Sequence, residues 1–171
     1  MAIVQTTYSS PLGTMLITCD SLRLLSVGFP SEDMVQTPHY GGGENPLLEC
    51  TQRWLNCYFE GHQPDFYPPM DLRGTVFDML VWNLLLEIPY GSTVTYADLA
   101  REVDRRMERA TMSPRAVGGA VGRNPIAIMV PCHRVIGSGG KTGGYAWGIS
   151  RKLYLLDWEC RNALQSMPKM K

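Results

Sequence analysis

No apolar run in this chain is long enough to span a bilayer. The longest mostly apolar stretch, Met79 to Pro89, is broken by Asn83 and Glu87, and a spanning helix needs about 20 consecutive apolar residues. The opening residues, Met1-Ala2-Ile3-Val4-Gln5, carry neither a basic n-region nor an apolar h-region, so no secretory signal is expected. No CxxC occurs among the five cysteines, and five is an odd number. The three histidines do not combine with those cysteines at zinc-ligand spacing. A disulfide framework and a structural zinc site are therefore disfavoured, and free thiols in a reducing compartment are expected. Neither a metal nor a cofactor is expected. Internal repeats and low-complexity segments are absent.

What is present suits a soluble globular protein: 171 residues, 44% apolar and 19% charged. That length holds one domain or two small ones. Net charge is zero but unevenly spread. Residues 1–73 carry three basic and eight acidic side chains, while residues 74–171 carry thirteen basic and eight acidic. Either this is ordinary solvated surface, or the second half meets a polyanion and the first does not.

The first half reads as strands followed by one helix. Ile3 to Tyr8, Thr14 to Cys19 and Leu22 to Phe29 are rich in β-branched and apolar residues, and turn chemistry separates them. Residues 30–44, ending in three glycines, read as a loop. Asn45 caps a helix with Pro46 at its first position, and Leu47, Leu48, Thr51, Trp54, Leu55 and Tyr58 recur at helical spacing until Gly61. Residues 62–73 contain Pro64, Pro68 and Pro69 and read as a linker. The charge shift falls there too, so a domain boundary is expected between 73 and 74.

The second half reads as mainly helical. Phe77, Leu80, Val81, Leu84, Leu85 and Ile88 form a stripe that Pro89 stops. Thr95 caps the next helix, with Asp98 in a capping-box position. Ser113 and Pro114 cap and open a short helix that runs to about Arg123. Ile126 to Val130 reads as a buried strand. A last helix is expected from about Ser150 to Cys160, with Leu153, Leu156 and Trp158 facing inward.

Two segments carry chemistry. The short helix, Pro114 to Arg123, holds three glycines, each costing about 1 kcal/mol of helix stability relative to alanine. Something must approach its backbone closely, either another helix or a nucleic-acid backbone framed by Arg115 and Arg123. With the preceding helix it resembles a helix-turn-helix. It has almost no large polar side chains for base edges, which suits sequence-independent minor-groove binding with one arginine as a wedge. The second segment is Pro131-Cys132-His133-Arg134-Val135, followed by a glycine-rich run. A lone buried cysteine is usually an inert small hydrophobe. An adjacent imidazole changes that, because it can take the thiol proton and leave the nucleophilic thiolate. Neighbours at i and i+1 do not face each other on a regular element, so a turn or a bridging water is needed. Several carboxylates, Glu159 among them, could orient the base, and spacing does not choose between them.

Taken together, Ile88-Pro89-Tyr90-Gly91, Thr95-Tyr96-Ala97-Asp98-Leu99-Ala100, Arg115-Ala116-Val117-Gly118-Gly119-Ala120, Asn124-Pro125-Ile126 and Pro131-Cys132-His133-Arg134-Val135 resemble the O6-alkylguanine-DNA alkyltransferases. Ser10-Pro11-Leu12-Gly13, Gly144-Tyr145 and Leu155-Leu156-Asp157-Trp158-Glu159 also fit, so the resemblance covers about residues 3–160. It implies an α+β chain: a small ribonuclease-H-like domain over residues 1–73, then a helical, winged-helix-like domain with a helix-turn-helix over residues 74–171. It implies single-turnover, irreversible transfer of an alkyl group from O6 of guanine, and from O4 of thymine, in double-stranded DNA to Cys132. The damaged base would be flipped from the minor groove. His133 would take the thiol proton through a water and Glu159 would orient His133. Asn124 would hold the turn, and Tyr96 would protonate the leaving guanine. Val135, Tyr145, Ala146 and Trp147 would form the pocket. Thr95, Arg115, Ala116, Gly118, Gly122 and Arg123 would meet DNA, with Arg115 filling the gap in the base stack. The implied protein is a cytoplasmic, nucleoid-associated monomer, with cooperative binding on DNA left open and no membrane partner.

Two departures stand out. The segment from Asp104 to Met112, with Arg105, Arg106 and Arg109, is longer than the usual connection and either adds phosphate contacts or is a solvated loop. Trp147 stands where several relatives have a small residue, which implies a narrowed pocket that handles adducts such as benzyl slowly. A damage-binding module on the same fold would lack the acceptor cysteine, and a methylation-sensing regulator would need a further segment.

Overall fold

The computed structural model describes residues 3–31, 45–108 and 111–166. The loop expected over 30–44 falls almost wholly outside the described residues, as does Arg109. The chain divides into two compact units, Met1–Leu72 with Pro125–Ala127, and Arg73–Asn124 with Ile128–Lys171.

In the first unit, strands β1 (Val4–Ser10), β2 (Gly13–Cys19) and β3 (Leu24–Gly28) form an antiparallel meander in the order β1-β2-β3. Ser10 pairs with Gly13 across a two-residue turn, and Gly13 has φ 109°. At the second turn the Asp20 carboxylate accepts from the backbone N–H groups of Leu22 and Arg23, both at 2.7 Å. Strand β2 alternates as a half-buried strand should: Met15, Ile17 and Cys19 are buried and the residues between them are not. Helix α1 (Pro46–Phe59) covers this sheet with Leu48, Thr51, Trp54, Leu55 and Tyr58, and Asn45 accepts from Leu47 N and Leu48 N as its cap.

The second unit holds helices α2 (Val76–Leu86), α3 (Tyr96–Met107), α4 (Pro114–Gly122) and α5 (Ile149–Ser166), with the short parallel pair β4 (Val94–Thr95) and β5 (Val135–Ile136). Thr75 with Asp78 and Thr95 with Asp98 form complete capping boxes, and Ser113 caps α4 with Pro114 at its first position. Trp82 of α2 donates its indole N–H to the Ala120 carbonyl of α4 at 2.9 Å, which ties the two helices together. Among the described residues no helix is long and apolar enough to cross a membrane.

Two expectations need correction. Ile126 to Val130 is not a strand. Every residue in it is buried, but only Ile126 makes a bridge, to Val27 of β3, and the chain then turns through Ile128 at φ 69°. Uniform burial produces an apolar run whether or not the backbone is extended. The second correction is the inward face of α5. Leu155 is buried together with Lys152 and Glu159, at i−3 and i+4, while Leu153 is 51% exposed and Leu156 and Trp158 are half-buried. The helix also runs longer than expected. Its polar residues turn inward because buried partners await them.

Candidate active site

The chain leaves Val130 through a tight turn: Cys132 N donates to the Val130 carbonyl at 2.8 Å, and Cys132–Arg134 form one 3₁₀ turn. This turn, rather than a strand end, presents the sulfur. Asn124, just past α4, donates from one amide nitrogen to the Val130 carbonyl at 2.8 Å and to Cys132 Sγ at 3.2 Å. It therefore fixes the turn and the thiol together. Cys132 is 2% exposed. Burial pushes its thiol up to about 11, opposed by the Asn124 hydrogen bond and by the charge of Lys152. Alone, this cysteine is a thiol at neutral pH, so the site must supply a base.

His133 is wholly buried, and its Nε2 lies 2.6 Å from Glu159 Oε1 of α5. Glu159 also accepts both arms of the Arg134 guanidinium, at 2.8 and 2.9 Å, and the backbone N–H of Gly91 at 3.1 Å. Burial would raise this carboxyl, but the hydrogen bonds and charges of His133 and Arg134 outweigh it and hold it at about 2. Burial pulls the imidazole below its ordinary value despite Glu159. With His133 neutral near pH 7, the charge that keeps Glu159 ionised is that of Arg134. An ionised acceptor at Nε2 places the imidazole proton there and leaves Nδ1 as the basic nitrogen. Nδ1 is buried and has no hydrogen-bond partner among the described residues.

A cavity of about 120 Å³ opens on Cys132, lined by Tyr96, Gly118, Val121, Gly122, Gly144, Tyr145 and Ala146. Tyr96, the first residue of α3, reaches the Gly144 carbonyl with its hydroxyl at 3.4 Å. Burial, then the nearby Cys132, raises its phenol. Gly143 has φ 71°, and a Cβ there would stand 2.8 Å from the Tyr96 ring, so the rim can pass over that ring only as glycine. The sequence-predicted residues Val135 and Trp147 are not in this lining. Val135 is buried in β5 opposite Val94, and Trp147 rests edge-on against Tyr145 with centroids 5.4 Å apart. A larger hollow of about 300 Å³, bounded by Leu84, Ile88, Pro89 and Leu99, holds no nucleophile.

On α4 the three glycines have no close packing partner that demands them. A Cβ on Gly122 would meet nothing within 4 Å, one on Gly118 would make ordinary contact with Tyr96 at 3.6 Å, and one on Gly119 would approach only the Arg123 guanidinium, at 3.2 Å. Tight helix packing is thus not what the small residues serve. Arg115 and Ala116 are exposed on the first turn of α4, and Thr95 caps α3. Arg123 differs from expectation: its guanidinium is held by Asp78 of α2 at 2.6 and 3.0 Å. Arg101, Arg105 and Arg106 of α3 pair with Asp98, Glu102 and Glu87. Among the described residues Arg115 makes no such pair. These three arginines are thus paired with acids of the same half, which leaves its net excess unchanged, while Arg115 stands exposed.

Two residues of the site escaped sequence reasoning, Arg134 and Lys152. Arg134 lies inside the quoted motif, and Lys152, Leu155 and Glu159 share one helix face at i, i+3 and i+7. That spacing was the available signal.

The chain matches two family profiles, described as "6-O-methylguanine DNA methyltransferase, ribonuclease-like domain" over residues 3–72 and "6-O-methylguanine DNA methyltransferase, DNA binding domain" over residues 76–161. It is similar to the methylated-DNA–protein-cysteine methyltransferase of Mycobacterium tuberculosis, 40% identical over 158 residues and 90% of both chains. Its fold is similar to the crystal structure of the O6-methylguanine methyltransferase of the same organism, with TM-score 0.79, 35% identity, and 99% and 97% of the two chains covered. It is also similar to Mycobacterium tuberculosis OGT in complex with DNA, with TM-score 0.77, 38% identity, and 91% and 92% covered.

Proposed function

The chain belongs to the 6-O-methylguanine DNA methyltransferase family, and from that premise we propose how its residues divide the work of moving an alkyl group from damaged DNA onto the protein. It is an enzyme of direct repair: it binds DNA and takes the alkyl group onto one of its own cysteines. Cys132 is that cysteine. The observation that carries this reading is the buried chain from Cys132 and His133 to Glu159, opening on a cavity beside the glycine face of α4.

The thiol proton passes to His133 Nδ1 through a water, and Glu159 orients and stabilises the imidazolium. The thiolate attacks the alkyl carbon. The C–S bond forms, the C–O6 bond breaks, and its electron pair leaves on guanine, which takes the Tyr96 proton. The phenolate regains a proton as the imidazolium gives one up, so the net reaction turns thiol and O6-alkylguanine into thioether and guanine. The thioether has no ionisable proton and no route back, which makes each molecule act once. O4-alkylthymine presents the same alkyl–oxygen bond and is a second substrate.

Guanine inside a duplex cannot reach a buried sulfur, so the base is flipped from the minor groove into the cavity. Residues 74–171 do this work, and residues 1–73 form a separate ribonuclease-H-like domain. Tyr145 and Ala146 hold the base, and Val135 and Trp147 back them. Ala116, Gly118 and Gly122 let the DNA backbone approach, Thr95 and Arg123 flank it, and Arg115 fills the gap in the stack. The protein acts in the cytoplasm on nucleoid DNA, as a monomer and without a cofactor. Arg115→Ala is expected to slow methyl transfer from duplex DNA more than tenfold while leaving reaction with free O6-methylguanine unchanged; equal losses on both substrates would contradict the wedge. Gly122→Ala is expected to move stability and activity in opposite directions. Because Gly122 is the last residue of the helix, thermal unfolding should show a gain of no more than about 0.5 kcal/mol from helix propensity, while transfer from duplex DNA falls. Unchanged transfer would mean that the open face of α4 serves no ligand.

A further inference from the structure

The ion pair at the end of α4 joins two groups at unequal depth. The Asp78 side chain of α2 is 6% exposed and the Arg123 side chain 57%. Arg123 donates through Nε and Nη2 to one oxygen of Asp78, at 3.0 and 2.6 Å. The other oxygen accepts from the Thr75 backbone N–H and hydroxyl, at 3.2 and 2.8 Å. The Arg123 hydrogen bond holds the carboxyl below its ordinary range against the opposing effect of burial, so Asp78 is ionised at neutral pH. Were Arg123 to turn to a DNA phosphate, a buried carboxylate would lose its cation. That loss is strongly destabilising, whereas an exposed phosphate contact is screened by salt. The pair therefore outlasts the approach of DNA, and Arg123 flanks the duplex with its charge already answered. Arg115, on the first turn of the same helix, stands exposed.

Resting on the reading that the glycine face of α4 meets the DNA backbone, we propose that Asp78 is a specificity-determining residue: it withholds Arg123 from the phosphates, so that the protein leaves undamaged DNA readily and dwells where a base can enter the cavity. Phosphate neutralisation supplies essentially all of non-specific affinity. Withholding one cation therefore weakens the grip on undamaged duplex, while capture of a flipped base also draws on the cavity beside Cys132. A purely structural role for the pair, pinning α2 to α4, is already served by the Trp82 hydrogen bond to the Ala120 carbonyl. Asparagine at position 78 keeps a carbonyl oxygen for the Thr75 cap and removes only the charge that detains Arg123.

The test measures binding to undamaged duplex by fluorescence anisotropy over a salt series, in wild type and in Asp78→Asn. The variant is expected to bind more tightly at low salt. Its plot of log affinity against log salt should steepen by about 0.9, the share of one added phosphate contact, an extra loss of about threefold between about 50 and about 200 mM salt. Methyl transfer from a short O6-methylguanine duplex should be kept, and should slow about threefold against wild type once excess undamaged duplex competes. Adding Arg123→Gln to Asp78→Asn should return the slope to that of wild type. An unchanged slope in the folded single variant overturns the role of Asp78 while leaving α4 as the DNA face. A steep slope that persists in the double variant also overturns it, because the added contact is then not Arg123. A further arm needs no variant. In wild type bound to undamaged duplex, NMR should show no nitrogen–phosphorus coupling through a hydrogen bond at the Arg123 guanidinium; such a coupling overturns the proposal. Wild-type affinity that does not respond to salt overturns this proposal and the reading beneath it together.

Discussion

With alanine in place of Cys132, the protein is expected to bind O6-methylguanine duplex DNA as wild type does and to remove no methyl group from it. The loss should be complete because no other cysteine can substitute. Asn124 and the Val130 turn present one sulfur to the cavity, and no other cysteine lines it. Stability should change little, since alanine leaves only a small void and removes a thiol that burial already holds protonated. Binding measured by gel shift and transfer measured by loss of methylated base therefore separate cleanly. Residual transfer would place the acceptor elsewhere.

Glu159→Gln is expected to cost both stability and rate. The carboxylate accepts from His133, from both arms of Arg134 and from Gly91 N, almost wholly out of solvent. A neutral amide leaves the Arg134 guanidinium buried without its counter-charge, and breaking such pairs costs about 3–5 kcal/mol. For a chain of this size that is a fall in Tm of roughly 10 °C. The rate should fall about a hundredfold or more, the usual worth of a positioned base, because an amide neither fixes the imidazole tautomer nor stabilises the imidazolium. The sign of the pH effect follows from the depressed carboxyl, held at about 2 against an ordinary 4.5. The unfolded chain binds this proton more readily than the folded one. The stabilisation is whole above about pH 4.5 and drains away as pH falls through about 2. Acid melting curves of wild type and variant should therefore converge over that window; parallel curves would mean that Glu159 is not held ionised.

The sequence was most informative where one residue type does one local job. Asn45, Thr75, Thr95 and Ser113 all cap the helices they precede, and three of these caps were readable from their spacing to Pro46, Asp98 and Pro114. Cys132 beside His133 was legible as chemistry, and the ordered motifs carried the family. Legibility failed where burial and polarity part company. Ile126 to Val130 is apolar because it is enclosed, and apolar character cannot report the left-handed turn at Ile128. In α5 the apolar stripe through Leu153 is not the buried face, because Lys152 and Glu159 have partners on other elements that no helical periodicity reveals. Arg123 is exposed as expected, but its pairing with Asp78, 45 residues earlier, could not be read from the sequence. Val135 and Trp147 neighbour the pocket residues in sequence, but backbone direction turns them away from its lining.

Peptide mass mapping after mixing equal amounts of the protein and O6-methylguanine duplex DNA bears most directly on the account. One methyl group is expected on the peptide carrying Cys132, one per protein molecule, with Cys19, Cys50, Cys57 and Cys160 unmodified and the DNA base restored to guanine. Tight binding with Cys132 left unmodified, or a methyl group on another cysteine, would contradict it.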